Sequence, residues 1–151
     1  MFKTLHGKSI PDVVEYIKDY LTMKPETQIL IGSDSQCYGN KKTIYGVVIA
    51  LYTKGKGAHV LCTRETVPME KNLNTRLMTE TWKSIELAEY LRENGIKKAD
   101  YIDIDLNPDK KYKSNSSLRQ AIGFVEGMGY KARWKHEGAI ITYAANHLVR
   151  I

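Results

Sequence analysis

Gln28-Ile29-Leu30-Ile31-Gly32-Ser33-Asp34 is the stretch on which the reading of this chain turns. Three consecutive branched aliphatic residues make a buried-strand pattern, and the run then turns polar and closes on a carboxylate. Asp is a poor strand former. An Asp that ends an apolar run is either a turn residue, here an Asx-turn onto Gln36, or a site residue. Both readings stay open at this point.

Working outward, Tyr38-Gly39-Asn40 is a turn signal, and Thr43 to Tyr52 (TIYGVVIALY) is rich in β-branched and aromatic residues, a second strand. Lys54-Gly55-Lys56-Gly57 reads as a hairpin turn and His59 to Val67 as a third strand, so the three form an antiparallel meander. Before it, Ser9 to Thr22 reads as a helix capped by Ser9 or Ile10, with Pro11 in its first turn. Its apolar face is Val13, Val14, Ile17, Tyr20 and Leu21, and Pro25 ends it. After the meander, Leu73 to Asn94 carries a stripe of Leu77, Thr81, Ile85 and Ala88, stopped by Asn94-Gly95.

Ala99 to Leu106 (ADYIDIDL) follows as a strand, then a polar loop from Asn107 to Ser114. A helix capped by Asn115 or Ser116 carries Leu118, Ala121, Ile122 and Val125, Tyr130 to Lys135 is a short strand, and Ala139 to Val149 a final helix. A strand–helix–strand unit gives parallel neighbours. The expected architecture is α/β: a five-stranded mixed sheet, an antiparallel three-strand meander plus two parallel strands, with helices on both faces.

Composition sets the outer bounds. The 151 residues are 42% hydrophobic and 26% charged, enough for one packed domain. Lys plus Arg exceeds Asp plus Glu by 23 − 17 = 6, which favours an anionic partner. The two cysteines form no CxxC pair, excluding a zinc ribbon or redox motif and fitting a reducing, cytoplasmic setting. The N-terminal residues have no apolar core of a signal peptide, and the longest apolar run is about half the ~20 residues that span a bilayer. No membrane association is expected.

The carboxylates matter by position. Asp34 ends the first strand of the meander, while Asp103 and Asp105, two apart, share one face of the fourth strand. If those strands are parallel neighbours, their C-terminal ends bring Asp34 close to Asp105, where open α/β sheets bind ligands. Taken singly, Asp103 also fits a solvated strand edge and Asp105 a turn cap. Glu80 borders the apolar stripe of the long helix; it fits either an ordinary pairing with Lys83 or Ser84 or a position aimed at that edge. Converging carboxylates repel unless a cation intervenes, and Mg²⁺, an oxygen-seeking ion that keeps several waters, suits them. The four histidines are scattered, and HExxH, Walker A, GxGxxG and GxSxG are all absent. Basic residues follow the fourth strand (Lys110, Lys111, Lys113, with Tyr112 among them) and cluster near the fifth (Arg133, Trp134, Lys135), where they suit phosphates and stacked bases. Lys54 and Lys56 read as a solvated turn.

Six segments, IGSDSQ (31–36), KGKG (54–57), TETW (79–82), IDIDLNPDKKYKSN (102–115), GFVEGMGYKARWK (123–135) and YAANH (143–147), together resemble the YkuK-type family of ribonuclease H-like proteins. The resemblance implies a single ribonuclease H-like domain over 1–151, with 1–24 a helical extension. It implies a nuclease that hydrolyses phosphodiester bonds of RNA, DNA or hybrid by a two-metal mechanism with Mg²⁺ or Mn²⁺. Asp34 matches the first-strand carboxylate, Glu80 the helix carboxylate, and Asp105 the strand-four Asp in a D-x-N-P pattern. Asp103 stands where the family often has His. Asn146 occupies the place of an expected acid near the C-terminus, offering a neutral carbonyl to a metal, and Glu137 is a nearby acid. The alternatives are a non-catalytic nucleic-acid-binding module and a protein-interaction module on the same scaffold.

Overall fold

The computed structural model describes residues 1–104 and 115–134. The meander forms as expected. β3 (Gln28–Tyr38), β4 (Lys42–Thr53) and β5 (Gly57–Pro68) pair antiparallel in unbroken register, from Gln28↔Tyr52 to Tyr38↔Lys42 and from Lys42↔Pro68 to Thr53↔Gly57. The hairpin between β4 and β5 turns through Gly55 and Gly57, both at positive φ (80° and 81°), which a side chain would strain.

The chain's start departs from expectation. Phe2–Thr4 (β1) and Ser9–Ile10 (β2) form an antiparallel hairpin that docks on the free side of β5 through Lys3↔Cys62 and Thr4↔Leu61. Helix α1 is therefore confined to Val13–Met23. Neither Ser9 nor Ile10 caps it: Asp12 holds the extended cap conformation, its carboxylate accepts from the Glu15 N–H at 3.1 Å, and Pro11 lies before the cap. Ile10 is only 3% exposed, and burying it in the core holds this segment in the sheet. The segment 1–24 is thus a hairpin followed by a helix.

α2 (Leu73–Glu93) is capped by Asn72, whose side chain accepts from the Thr75 N–H at 2.9 Å. β6 (Tyr101–Asp103) lies parallel to β3, Leu30↔Tyr101 through Gly32↔Asp103. Asp100 fastens its entry: its carboxylate accepts from the Ile29 N–H and its own N–H donates to the Ile29 carbonyl, each at 2.8 Å. α3 (Asn115–Gly127) returns the chain to β7 (Ala132–Arg133), parallel to β6. The single sheet runs β2-β1-β5-β4-β3-β6-β7, so the five expected strands are present, extended by the N-terminal hairpin.

Alternation along the strands sorts the core. Ile29, Ile31, Ile49, Leu51 and Ile102 pack with Val14 and Ile17 of α1, Leu77, Ile85 and Leu91 of α2, and Val125 of α3. The opposite face carries a second buried cluster, Leu30, Val48, Ala50, Val60 and Cys62. The expected 139–149 helix and the 107–114 loop lie outside the described residues. Among the described residues no helix is long and apolar enough to cross a membrane.

Candidate functional site

The parallel pairing of β3 and β6 stops at Gly32↔Asp103, whereas β3 runs on to Tyr38 with β4 as its partner. Past Gly32, no described strand flanks β3 on its β6 side. Asp34 sits on this stretch and is 3% exposed. It does not turn the chain back onto Gln36. The backbone stays in the ladder, Asp34↔Gly46, and Oδ1 accepts from the N–H of Ser35 at 2.8 Å. The β4 pairing holds this segment extended, which leaves no room for an Asx-turn.

Glu80 is 2% exposed, so it is a buried residue and not a flanking one. Its expected partners are engaged elsewhere. Ser84 Oγ bonds to Ser33 Oγ at 2.6 Å, and Lys83 Nζ reaches Glu65 at 2.5 Å. Glu80 Oε2 instead accepts from Ser35 Oγ at 2.5 Å. These contacts put α2 over the face that β3 presents through Ser33 and Ser35; by alternation Asp34 points from the other side of the strand. Ser35 thus touches both carboxylates, one through its hydroxyl and one through its backbone. Glu80 also borders a crevice too small for water, shared with Ser33, Leu77, Thr81, Asp103 and Ile104, which sets it at the end of β6.

Arg76, one helical turn before Glu80, closes on Ser35 from above: Nε donates to Ser35 Oγ at 3.1 Å and Nη2 to the Ser35 carbonyl at 3.0 Å. Next to this group, burial pushes the Tyr45 phenol above its ordinary value; Glu80 adds to the shift, while a hydrogen bond with Thr79 and the charge of Arg76 oppose it. Sequence reasoning missed Ser35 and Arg76. The signals present were the IGSDSQ segment that holds Ser35 and the four-residue spacing of Arg76 and Glu80.

Asp103 is not a solvated edge residue. It is 4% exposed and gripped at two points by Arg133, Nε to Oδ1 at 2.7 Å and Nη2 to Oδ2 at 2.9 Å. The same guanidinium lies 4.6 Å from the Tyr101 ring centroid. Burial pushes the Asp103 carboxyl up, and Arg133 pulls it part of the way back. Arg133, expected to meet nucleic acid, therefore holds the end of β6 to β7, because the parallel register sets the two residues side by side.

Asp105, Lys110, Lys111, Lys113, Lys135, Glu137 and Asn146 lie outside the described residues. Among the described residues no group of three His, Cys, Asp or Glu side chains could hold a metal ion. What they supply is two buried carboxylates that both bond to Ser35 within β3, Glu80 to its hydroxyl from the α2 side and Asp34 to its N–H from the other side of the strand. Carboxylate oxygens are the donor type that Mg²⁺ or Mn²⁺ takes, but Asp34 and Glu80 do not by themselves face one ion.

The chain belongs to the ribonuclease H-like family: the Ribonuclease H-like family model matches residues 12–150. No curated protein matches it. Among solved structures it is similar to the native prototype foamy virus protease-reverse transcriptase, at 9% identity and a TM-score of 0.41. That match covers 83% of this chain and 21% of the viral chain, so the protein spans about a fifth of it.

Proposed function

We propose that the protein is a divalent-metal-dependent phosphodiester hydrolase acting on RNA, DNA or their hybrid. The observation that supports this reading is the buried pair Asp34 and Glu80, joined through Ser35 beside the end of β6, in a chain of the ribonuclease H-like family. Asp34 would hold Mg²⁺ or Mn²⁺; Glu80, the helix carboxylate, bonds Ser35 from the α2 side of β3. Asp105, the third carboxylate of the proposed set, would join Asp34. Asn146 and Glu137 complete the proposed ligand set. A bound divalent cation supplies activation of water and neutralisation of phosphate charge. Lys110, Lys111, Lys113 and Lys135 would neutralise the flanking phosphates, and the formal charge of +6 favours the approach of a polyanion. The two free cysteines fit a cytoplasmic setting.

The test is cleavage of labelled RNA, DNA and hybrid with Mg²⁺ or Mn²⁺. Cleavage that EDTA stops and Asp34→Asn abolishes, with circular dichroism unchanged, is the expected result. Intact substrates in all three cases with the wild-type protein would refute the enzyme reading.

A second reading, a nucleic-acid-binding module without catalysis, is favoured by one observation. Asp103 is balanced by Arg133 and Glu80 is tied to Ser35 beneath Arg76, so these carboxylates already serve the fold. Salt-dependent binding without metal-dependent turnover would select it.

A further inference from the structure

We infer that Glu80 is not a metal ligand in this chain: it is the acceptor end of a latch, Arg76 to Ser35 to Glu80, that seats α2 on β3, and a cation held by Asp34 lies on the other side of the strand. Where it concerns the cation, this rests on the metal-dependent reading above; the latch itself needs no metal. A guanidinium N–H can only donate, so at the 3.1 Å contact with Arg76 Nε the Ser35 hydroxyl oxygen is the acceptor. Its single proton is directed to Glu80 Oε2, 2.5 Å away. Arg76 Nη2 also donates to the Ser35 carbonyl at 3.0 Å. Arg76 and Glu80, four apart on α2, thus close on one strand residue, which is 3% exposed and held in the ladder opposite Tyr45. One helical turn on, Ser84 bonds Ser33 at 2.6 Å, so the same polar seam continues between helix and strand.

Three features keep an ion away from Glu80. Asp34 and Ser35 are successive residues of an unbroken ladder, Asp34↔Gly46 and Ser35↔Tyr45, so their side chains leave opposite faces of β3, and Glu80 meets the Ser35 face. The Arg76 guanidinium, fixed on Ser35, balances the Glu80 charge and would repel a divalent cation arriving there. The crevice beside Glu80 admits no water, whereas Mg²⁺ keeps several of its waters when a protein binds it. The match of Glu80 to the family's helix carboxylate is therefore one of position and not of contact with the ion.

The experiment has a metal-free arm and a metal arm, both on the full chain. Thermal unfolding in EDTA is the first. Glu80→Leu leaves the Ser35 proton without an acceptor and the Arg76 charge unbalanced, and should lower Tm by ~3–12 °C. Glu80→Gln keeps an acceptor and should lower it by less. In a Ser35→Ala background the Glu80→Leu loss should shrink, because the two residues act through one contact. If Glu80→Leu fails to fold, Glu80→Gln with and without Ser35→Ala carries this arm. A carboxylate kept for a cation would instead suffer repulsion without it, so an unchanged or raised Tm in the Glu80 variants would overturn the latch. The second arm is anomalous diffraction from crystals of the wild-type chain grown with Mn²⁺. Density on the Asp34 side of β3, with Glu80 still on Ser35, is the expected result. Mn²⁺ bonded to a Glu80 oxygen would overturn the inference while the metal reading stood. Crystals without Mn²⁺ would sink the metal reading alone, and the EDTA arm would then decide the latch.

Discussion

Replacing Arg133 with Met tests whether this residue belongs to the fold or to a nucleic-acid surface. The Asp103 side chain is 1% exposed and that of Arg133 19%. Removing one partner of a buried ion pair costs about 3–5 kcal/mol, since a charge is left in a poorly solvated place. Arg133 is partly solvated and Asp103 can take up a proton, so the low end applies, about 3 kcal/mol. For a chain of this size each kcal/mol shifts Tm by about 2–4 °C, giving a fall of ~6–12 °C. The pH dependence has a definite sign. Burial raises the Asp103 carboxyl and Arg133 opposes that, so losing Arg133 raises it further. A carboxyl whose folded value lies above its unfolded one, near ~3.9, favours folding below that unfolded value and loses the benefit as pH rises through the folded one. The deficit of Arg133→Met should therefore be large at neutral pH and shrink toward pH ~4. Urea denaturation at the two pH values measures it. A loss below about 1 kcal/mol at neutral pH, or an equal loss at both, would refute the structural assignment. Replacing both partners by apolar residues should recover most of the loss.

Two further outcomes follow from local contacts. His59 stacks against Tyr16 and Tyr20, its Nε2 lies 2.6 Å from the Tyr16 hydroxyl, and burial with Lys24 holds it below its ordinary value. A lowered histidine leaves stability full above the unfolded value of ~6.5 and erodes it as pH falls toward the folded value; in His59→Gln that slope between pH 7 and 5 should flatten, and an unchanged slope in chemical denaturation would contradict it. Asn72→Ala, which removes the cap of α2, should cost ~1 kcal/mol in urea melts, and a neutral result would mean that the Thr75 N–H finds water at no cost.

Much of this molecule could be read from residue order alone. The run QILIGSD, the alternation in TIYGVVIALY and the glycines at 55 and 57 specify the meander, because strand and turn signals are local and periodic. Asp34 stood out as a carboxylate closing an apolar strand, and Glu80 as a residue beside an apolar stripe. The N-terminal hairpin was not legible: Phe2–Thr4 and Ser9–Ile10 are too short to show a period, and they become strands by pairing with each other and with β5. The partners of the carboxylates were hidden for a related reason. Ser35 meets Glu80 across 45 positions and Asp103 meets Arg133 across 30, distances that no local pattern spans.

The sequence by itself pointed to Asp34 and the end of the fourth strand, at Asp105, sharing one end of the sheet if their strands were parallel neighbours, and β3 and β6 do pair parallel up to Gly32↔Asp103. Only the tertiary structure decided what each carboxylate does there. The register of β6 against β7 set Arg133 on Asp103, and the seating of α2 over Ser33 and Ser35 turned Glu80 inward under Arg76. Register and helix seating are settled by burial summed over the whole core, and so the same residues that were candidates in sequence acquired distinct roles only once the chain had packed.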